Sequence, residues 1–431
     1  MNQNKAPNNK ESAFADAYLR RSVPNEVFIN DPPDKYLKYI VIIPAFIESG
    51  LIKSLDSLFK CDDIEEGIEV LIVVNSPWST DEASLRFNLE IKEKAKSWAK
   101  DHNKIGMKFH FIHWDAIDPK NSGVGFARKA GMDEAVRRFN KIGKPDGIIL
   151  SLDADVLVDK NYFRAVRTHI RENKGIDGFN IHFEHPLDGG FEEKVYEAIA
   201  QYELHLRYYV QALRYAGHPN TYHTLGSAFG VRADVYCKQG GMNKRQAGED
   251  FYFLQKIFDL GNFSECNSTR VIPSPRPSNR VPFGTGPMVR DFLKEEKELK
   301  TNNPELFVIL KDFLKHTSNF YEKTKNSDFN FINDLHPVLG EFLKMNNIEY
   351  KLTEIQNNSS SEEAFIKRFY RWFNMFRVLK FLNYSKNEFH DVPVKDAARI
   401  LLMKGKFNLN FKAQTQTKDL LRFYREIQKD R

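Results

Sequence analysis

The chain is expected to form an α/β protein: a mostly parallel sheet flanked by helices, with an α-helical C-terminal region. Three features lead there. Apolar, β-branched runs at residues 39–43, 70–74 and 147–152 have the composition of strands buried on both faces. The segments between them carry apolar groups at helical spacing, so strand and helix alternate as right-handed crossovers require. Beyond Met288 the chain becomes charged, Phe-rich and helical.

Taken in order, residues 1–11 are polar and expected to be disordered, and 12–21 suits a short helix ahead of Pro32-Pro33. The first strand is expected to stop at Pro44, leaving Pro44 to Gly50 as the loop at its C-terminal end. A helix through Leu51, Leu55 and Leu58 leads to the second strand, which ends at Asn75-Ser76-Pro77. Residues 81–100 read as a helix with a charged face, 108–114 as a third strand, 126–139 as a helix and 147–152 as the fourth strand. Residues 179–183 and 226–231 read as further strands. The helix expected over 191–215 carries Tyr196, Tyr202, Tyr208, Tyr209 and Tyr215, a stripe better explained by core packing than by an acceptor-binding wall. Gly248 opens a helix with Phe251, Leu254, Ile257 and Phe258 on one face, closed by Gly261. Residues 272–287 read as a loop and 357–361 as a linker. The organisation expected is an N-terminal extension over 1–35, an α/β domain over 36–290 and a helical domain over 291–431.

Length allows more than one structural unit, since the chain has 431 residues. Hydrophobic residues at 41% and charged residues at 28% mark an ordinary globular protein rather than a disordered one. A net charge of +6 suits an anionic ligand or surface, and no nucleic-acid partner is expected. Cys61, Cys237 and Cys266 form neither a metal spacing nor a disulfide framework, which points to a reducing compartment. There is no signal-peptide core and no run near the roughly 18 apolar residues of a membrane helix. A cytoplasmic location is expected, with membrane association as a variant. That variant rests on residues 365–382, whose mix of Arg, Lys, Trp and Phe suits peripheral membrane contact through the C-terminal helices; helical core explains it better.

The chemistry centres on Asp153-Ala154-Asp155, at the end of the fourth strand. Strand ends are where open α/β sheets hold ligands. Two acids one residue apart can hold a hard divalent cation, Mg²⁺ or Mn²⁺, and such a cation bridges a diphosphate. Pro44, Ala45 and Glu48 sit at the end of the first strand, where Glu48 can accept hydrogen bonds from a ribose or a base. Gly123-Val124-Gly125-Phe126-Ala127-Arg128 opens a helix and lacks the third glycine of a dinucleotide fingerprint. It makes better sense as a helix start presenting Arg128 to an anion. Glu249 and Asp250 follow Gly248 at a helix N-terminus, where a carboxylate can take the proton of an attacking hydroxyl. Arg276 and Arg280 lie in a Pro-rich loop suited to ordering over a diphosphate, or to serving as a linker.

Four stretches, Val41-Ile42-Ile43-Pro44-Ala45, Asp153-Ala154-Asp155, Gly226-Ser227-Ala228-Phe229 and Gly248-Glu249-Asp250, together resemble the family 2 glycosyltransferases of GT-A fold, over about residues 38 to 290. The resemblance implies a Rossmann-like sheet, a nucleoside diphosphate sugar as donor and a divalent metal on its diphosphate. A hexosyltransferase is the class implied, with a saccharide, lipid-linked or small-molecule acceptor. By the same resemblance Asp155 is the metal ligand with Asp153 beside it, and Asp250 is the general base of an inverting reaction with Glu249 as its neighbour. Pro44, Ala45, Glu48 and Arg128 match nucleotide contacts, and Gly226 and Ser227 the strand supporting the acceptor. Asn75 stands where the family often has an acid that contacts base or ribose, and Arg276 and Arg280 would supply positive charge in place of a distal His.

Two other readings compete. The apolar-Asp-x-Asp-x-Val pattern at Leu150 to Val158 also fits a haloacid dehalogenase-like phosphatase with Asp153 as nucleophile, but that needs the motif on the first strand of the core. The other is a non-catalytic nucleotide-sugar-binding protein. A sugar nucleotidyltransferase would need a Gly-rich, basic loop after the first strand, which Pro44 to Gly50 is not.

Overall fold

The computed structural model describes residues 13–23, 27–102, 104–119, 122–244, 248–280, 284–295, 297–405 and 415–429. The expected disordered start (1–11) and residues 281–283 of the Pro-rich loop lie outside them. The chain divides into two compact units, Met1–Phe183 with Thr224–Pro273, and Glu184–His223 with Ser274–Arg431.

The strands of the first unit are β1 (Leu37–Ala45), β2 (Gly67–Pro77), β3 (Met107–Ile117), β4 (Ile148–Ser151), β5 (Val156–Val158), β6 (Gly178–Phe183), β7 (Phe229–Arg232) and β8 (Phe263–Pro273). They form one sheet in the order β3-β2-β1-β4-β7-β6-β8-β5. The β3-β2-β1-β4 half is parallel. Strand β7 runs antiparallel to β4 and β6, β8 parallel to β6, and β5 antiparallel to β8. Helices Leu51–Phe59, Glu82–Asp101 and Val124–Lys141 are the crossovers of the parallel half. Their buried faces fit that place: Leu51, Leu55 and Leu58 all point into the core. The last helix lies so close to the sheet that a Cβ on Gly131 would meet Ile42 Cγ2 at 2.5 Å. This is the α/β class expected, with its flanking helices and a helical C-terminal part.

Some strand limits differ from expectation, each for a local reason. Strand β1 runs through Pro44 to Ala45, pairing with β2 throughout. Ile42 faces β4, where its carbonyl accepts from the Leu152 N–H at 3.0 Å. Pro44, two residues on, faces the same side, but β4 has ended there, so its missing N–H costs no ladder bond. The strand expected from Gly226 begins only at Phe229, after a turn closed by Ala228 N–H on Leu225 carbonyl at 3.1 Å. Strand β5 is three residues long, too short for a periodic signal. Strand β8 is polar at 264–265 and 267–270, and its last residues, Ile272 and Pro273, read in the sequence as the start of a loop.

The sheet curls. Strand β4 is followed almost at once by β5, yet the order places three strands between them. In a flat sheet those two would stand about 19 Å apart, at roughly 4.8 Å per strand. The link is a tight turn, with Val156 N–H on Asp153 carbonyl at 3.2 Å, and cannot reach that far. The far edge therefore bends back towards the C-terminal ends of the parallel strands.

The second unit is helical. The Tyr-rich helix, Glu193–Ala216, belongs to it rather than to the sheet unit. Its Glu203 and Arg207 are wholly buried and need charged partners. Glu203 receives Arg207 Nε at 2.7 Å and, from helix Thr417–Lys429, Arg425 Nη2 at 2.7 Å. Of the Tyr stripe, Tyr196 and Tyr208 are buried, and Tyr202, Tyr209 and Tyr215 are half-buried. The 365–382 stretch is two helices, Glu362–Trp372 and Met375–Tyr384, with Asn374 capping the second. Phe365, Phe369, Phe373 and Phe381 are buried within the unit, with Phe369 and Phe373 against Phe313. Residues 357–361 join two helices of this unit, and Ser361 caps the second of them. Among the described residues no helix is long and apolar enough to cross a membrane.

Candidate functional site

The acid pair occupies the turn between β4 and β5. Strand β4 is buried throughout, and Ser151 Oγ donates to the Gly226 carbonyl at 2.6 Å. The turn is tied down from the other side by Ser54 Oγ, which donates to the Ala154 carbonyl at 2.9 Å. Asp153 keeps a side chain 41% exposed, and Asp155 is half-buried.

Arg128 is the hub. It projects from the second turn of helix Val124–Lys141 with only 2% of its side chain exposed. Nη2 donates to Asp153 Oδ1 at 2.5 Å, and Nη1 donates to Glu249 Oε1. Glu249 is 1% exposed and is the first residue of helix Glu249–Phe258, entered from Gly248 at φ 73°. A guanidinium's fixed fork can serve both acids at once. The guanidinium lies against bare backbone: a Cβ on Gly226 would sit 2.8 Å from Nη2. Among the described residues, buried Arg128 Nε and Glu249 Oε2 find no hydrogen-bond partner. Arg128, expected to face an anion, here binds two protein carboxylates. Its charge lies behind the acid pair rather than at the surface.

Asp250 is next to this cross-link. Its Oδ1 accepts from the Phe251 N–H at 2.7 Å. Burial pushes its carboxyl above the usual range; the Arg128 charge and that N–H oppose the rise, and the Asp153 charge adds to it. Ala247, just before this helix, lies outside the described residues.

The loop after β1 closes the other side. Glu48 is buried and its Oε1 accepts from the Gly50 N–H at 2.7 Å. A Cβ on Gly50 would meet Glu48 Oε1 at 3.1 Å and Asp155 Cα at 3.2 Å, so the loop backbone is packed directly on Asp155. Pro44 and Ala45 are buried at the end of β1 and present backbone. Asn75 is also buried, and its Nδ2 donates to the Ser122 carbonyl at 2.6 Å, tethering the segment that leads to the Arg128 helix. The structure thus brings together Glu48, Arg128, Asp153, Asp155, Glu249 and Asp250. Arg276 and Arg280 belong to the second unit, where each backbone N–H is 3.3 Å from the Oγ of the serine two residues earlier.

A divalent cation fits this acid pair by chemistry. Asp155 and the second oxygen of Asp153 are hard donors, and Mg²⁺ is typically held by one or two carboxylates plus phosphate and water. Among the described residues no group of three His, Cys, Asp or Glu side chains could hold a metal alone. Gly50, packed on Asp155, and Asn88, which accepts from the Ile47 N–H, are not among the site residues singled out from the sequence. A signal for Asn88 existed: it falls on the buried face of helix Glu82–Asp101 with Ile91, Lys92 and Ala95, an amide where an apolar group is expected.

The chain matches no protein-family model and no curated protein. It is similar to several solved structures. S. aureus TarS 1-349 in complex with UDP is 16% identical, over 88% of this chain and 95% of that one, with a TM-score of 0.38. The complex of TarS 1-349 with UDP-GlcNAc is 15% identical, over 78% and 93%, with a TM-score of 0.38. The mannosyltransferase PcManGT from Pyrobaculum calidifontis in complex with GDP-Man and Mn²⁺ is 13% identical, over 84% and 93%, with a TM-score of 0.36. In another TarS structure the chain spans 37% of the length of its match.

Proposed function

We propose that the protein is a glycosyltransferase that moves a sugar from a nucleoside diphosphate sugar to an acceptor hydroxyl with inversion. One observation carries this: Arg128 ties Asp153, at the tip of β4, to Glu249, the neighbour of Asp250. Acid pair and candidate base are thereby held as one body. Asp155, with Asp153, would hold Mg²⁺ or Mn²⁺, which when bound supplies positive charge to the departing diphosphate. Arg128 offsets part of the Asp153 charge. Asp250 takes the proton of the acceptor hydroxyl as its oxygen bonds the anomeric carbon. The bond from that carbon to the diphosphate breaks, and the nucleoside diphosphate leaves with the electron pair. A raised carboxyl is the better base for this work near neutrality. Glu249 anchors Arg128 and touches no reacting atom in this scheme.

The phosphatase alternative finds no support in the geometry. The acid pair follows the fourth strand of the sheet, and its first member is bonded to a guanidinium. The test is a thermal-shift panel of UDP- and GDP-sugars with and without Mn²⁺. A Mn²⁺-dependent shift with a nucleotide sugar supports the transferase; a shift with phosphate mimics alone sinks it.

A further inference from the structure

Residue Ile47 holds a left-handed backbone, at φ 48°. For a β-branched side chain this conformation is costly and persists only where neighbours impose it. Here the imposing group is visible. The Ile47 N–H donates to Asn88 Oδ1 at 2.7 Å, and Asn88 is 1% exposed on helix Glu82–Asp101. Asn88 is fixed in turn, because its Nδ2 donates to Ser76 Oγ at 3.1 Å, near the end of β2. The amide of one buried side chain therefore joins the end of β2 to the loop after β1. That loop delivers Glu48 onto the Gly50 N–H and Gly50 onto Asp155.

We infer that Asn88 is a positioning residue: it latches Ile47 in the strained conformation that seats the Glu48–Gly50 loop against the acid pair. The inference deepens the transferase reading and rests on it for its functional consequence. Without the latch, Ile47 relaxes to negative φ, the chain direction after β1 changes, and Gly50 leaves Asp155. Asn88 touches no substrate in this scheme.

The test compares wild type, Asn88→Ala, Ile47→Gly and the double variant, with Asn88→Asp as a second probe that keeps an acceptor for the Ile47 N–H. The readouts are Mn²⁺-dependent affinity for UDP and GDP, and hydrogen exchange at the Ile47 amide. Asn88→Ala should weaken nucleotide binding about tenfold, since the strained state is no longer held. Glycine adopts this φ freely, so Ile47→Gly should stay within about threefold of wild type and should rescue Asn88→Ala to that level. Unchanged affinity in Asn88→Ala, or a double variant as weak as Asn88→Ala, overturns the latch. If wild type binds neither nucleotide, it is the transferase reading that fails. The latch is then judged by exchange alone: the Ile47 amide must be protected in wild type and in Asn88→Asp, and open in Asn88→Ala. Equal protection in all three refutes it.

Discussion

The guanidinium of Arg128 lies against Gly226 with no room for a side chain between them: an added Cβ would be 2.9 Å from both Cζ and Nη1. Both ends of the guanidinium are bonded to carboxylates, so it cannot swing aside. Gly226→Ala should therefore displace Arg128 and cost about 1–3 kcal/mol, the usual range for overpacking a filled site. Turnover should fall with it. Full activity and an unchanged Tm would show that Arg128 has slack that the geometry denies.

Removing the guanidinium is a different experiment. Arg128→Ala leaves Glu249 as a buried charge, and breaking such a pair costs about 3–5 kcal/mol. Adding Glu249→Gln should recover much of that stability but not the activity, because Asp153 still lacks its partner. Urea unfolding of the single and double variants measures the recovery.

On the proposed scheme, Asp250 sets the pH dependence of the rate. Its carboxyl is raised by burial, so the rate should climb as pH rises through that raised value and then level off. For stability the sign is opposite. The unfolded chain gives up this proton first, so the group's contribution falls as pH rises from its unfolded value through its folded one. Asp250→Asn should keep an equal or higher Tm at neutral pH and bind donor, yet lose turnover at least 100-fold, the low end for general-base loss. An acid limb that survives in Asp250→Asn would assign it to another group.

On the proposed scheme, metal dependence falls on Asp155. Asp155→Ala should abolish the Mn²⁺-dependent part of nucleotide-sugar binding while leaving the fold intact, since the turn is held by Ser54 and the β4 ladder. Asp153→Asn should bind metal more weakly and also loosen Arg128. Calorimetry with Mn²⁺ and UDP or GDP separates the two.

The second unit has its own acid-sensitive point. Burial by itself would raise the Glu203 carboxyl, but the Arg207 charge, the His185 hydrogen bond and Arg425 outweigh it and hold it well below the carboxylate range. A depressed group stabilises above its unfolded value and loses that contribution as pH falls through its folded one. Glu203→Gln should be destabilising at pH 7, and its gap from wild type should shrink as the solution is acidified. A pH series of thermal melts reads this.

Much of the parallel half was legible in the chain because buried parallel strands carry continuous apolar runs, and β1, β2 and β4 each hold one, at 39–43, 70–74 and 148–150. The acids at the strand tip were legible for the same reason: a polar break after such a run is conspicuous. Strand β8 was not, since half its residues are polar and its partner β5 is three residues long. The placement of Glu193–Ala216 was hidden too. It depends on Glu203 meeting Arg425, more than two hundred residues away, a pairing that no local pattern encodes. Arg128 was singled out for its charge, but its direction could not be read, because a buried guanidinium and one facing an anion look alike in one dimension. Asn88 is the same problem in reverse: an ordinary amide whose importance comes from the strained amide it faces.

The placement of β5 has a consequence for how a newly made chain becomes competent. The segment is synthesised directly after β4, but the strand it pairs with, β8, ends more than a hundred residues later. At roughly 5–20 residues per second, a ribosome needs many seconds to supply it. During that interval β5 lacks its strand partner, although Ser54 and Ser57 of the earlier helix can already hold the turn and the end of β5. The nascent protein thus closes the far edge of the sheet last, after the parallel half has had time to assemble, and chains cut short before β8 should be born with β5 unpaired.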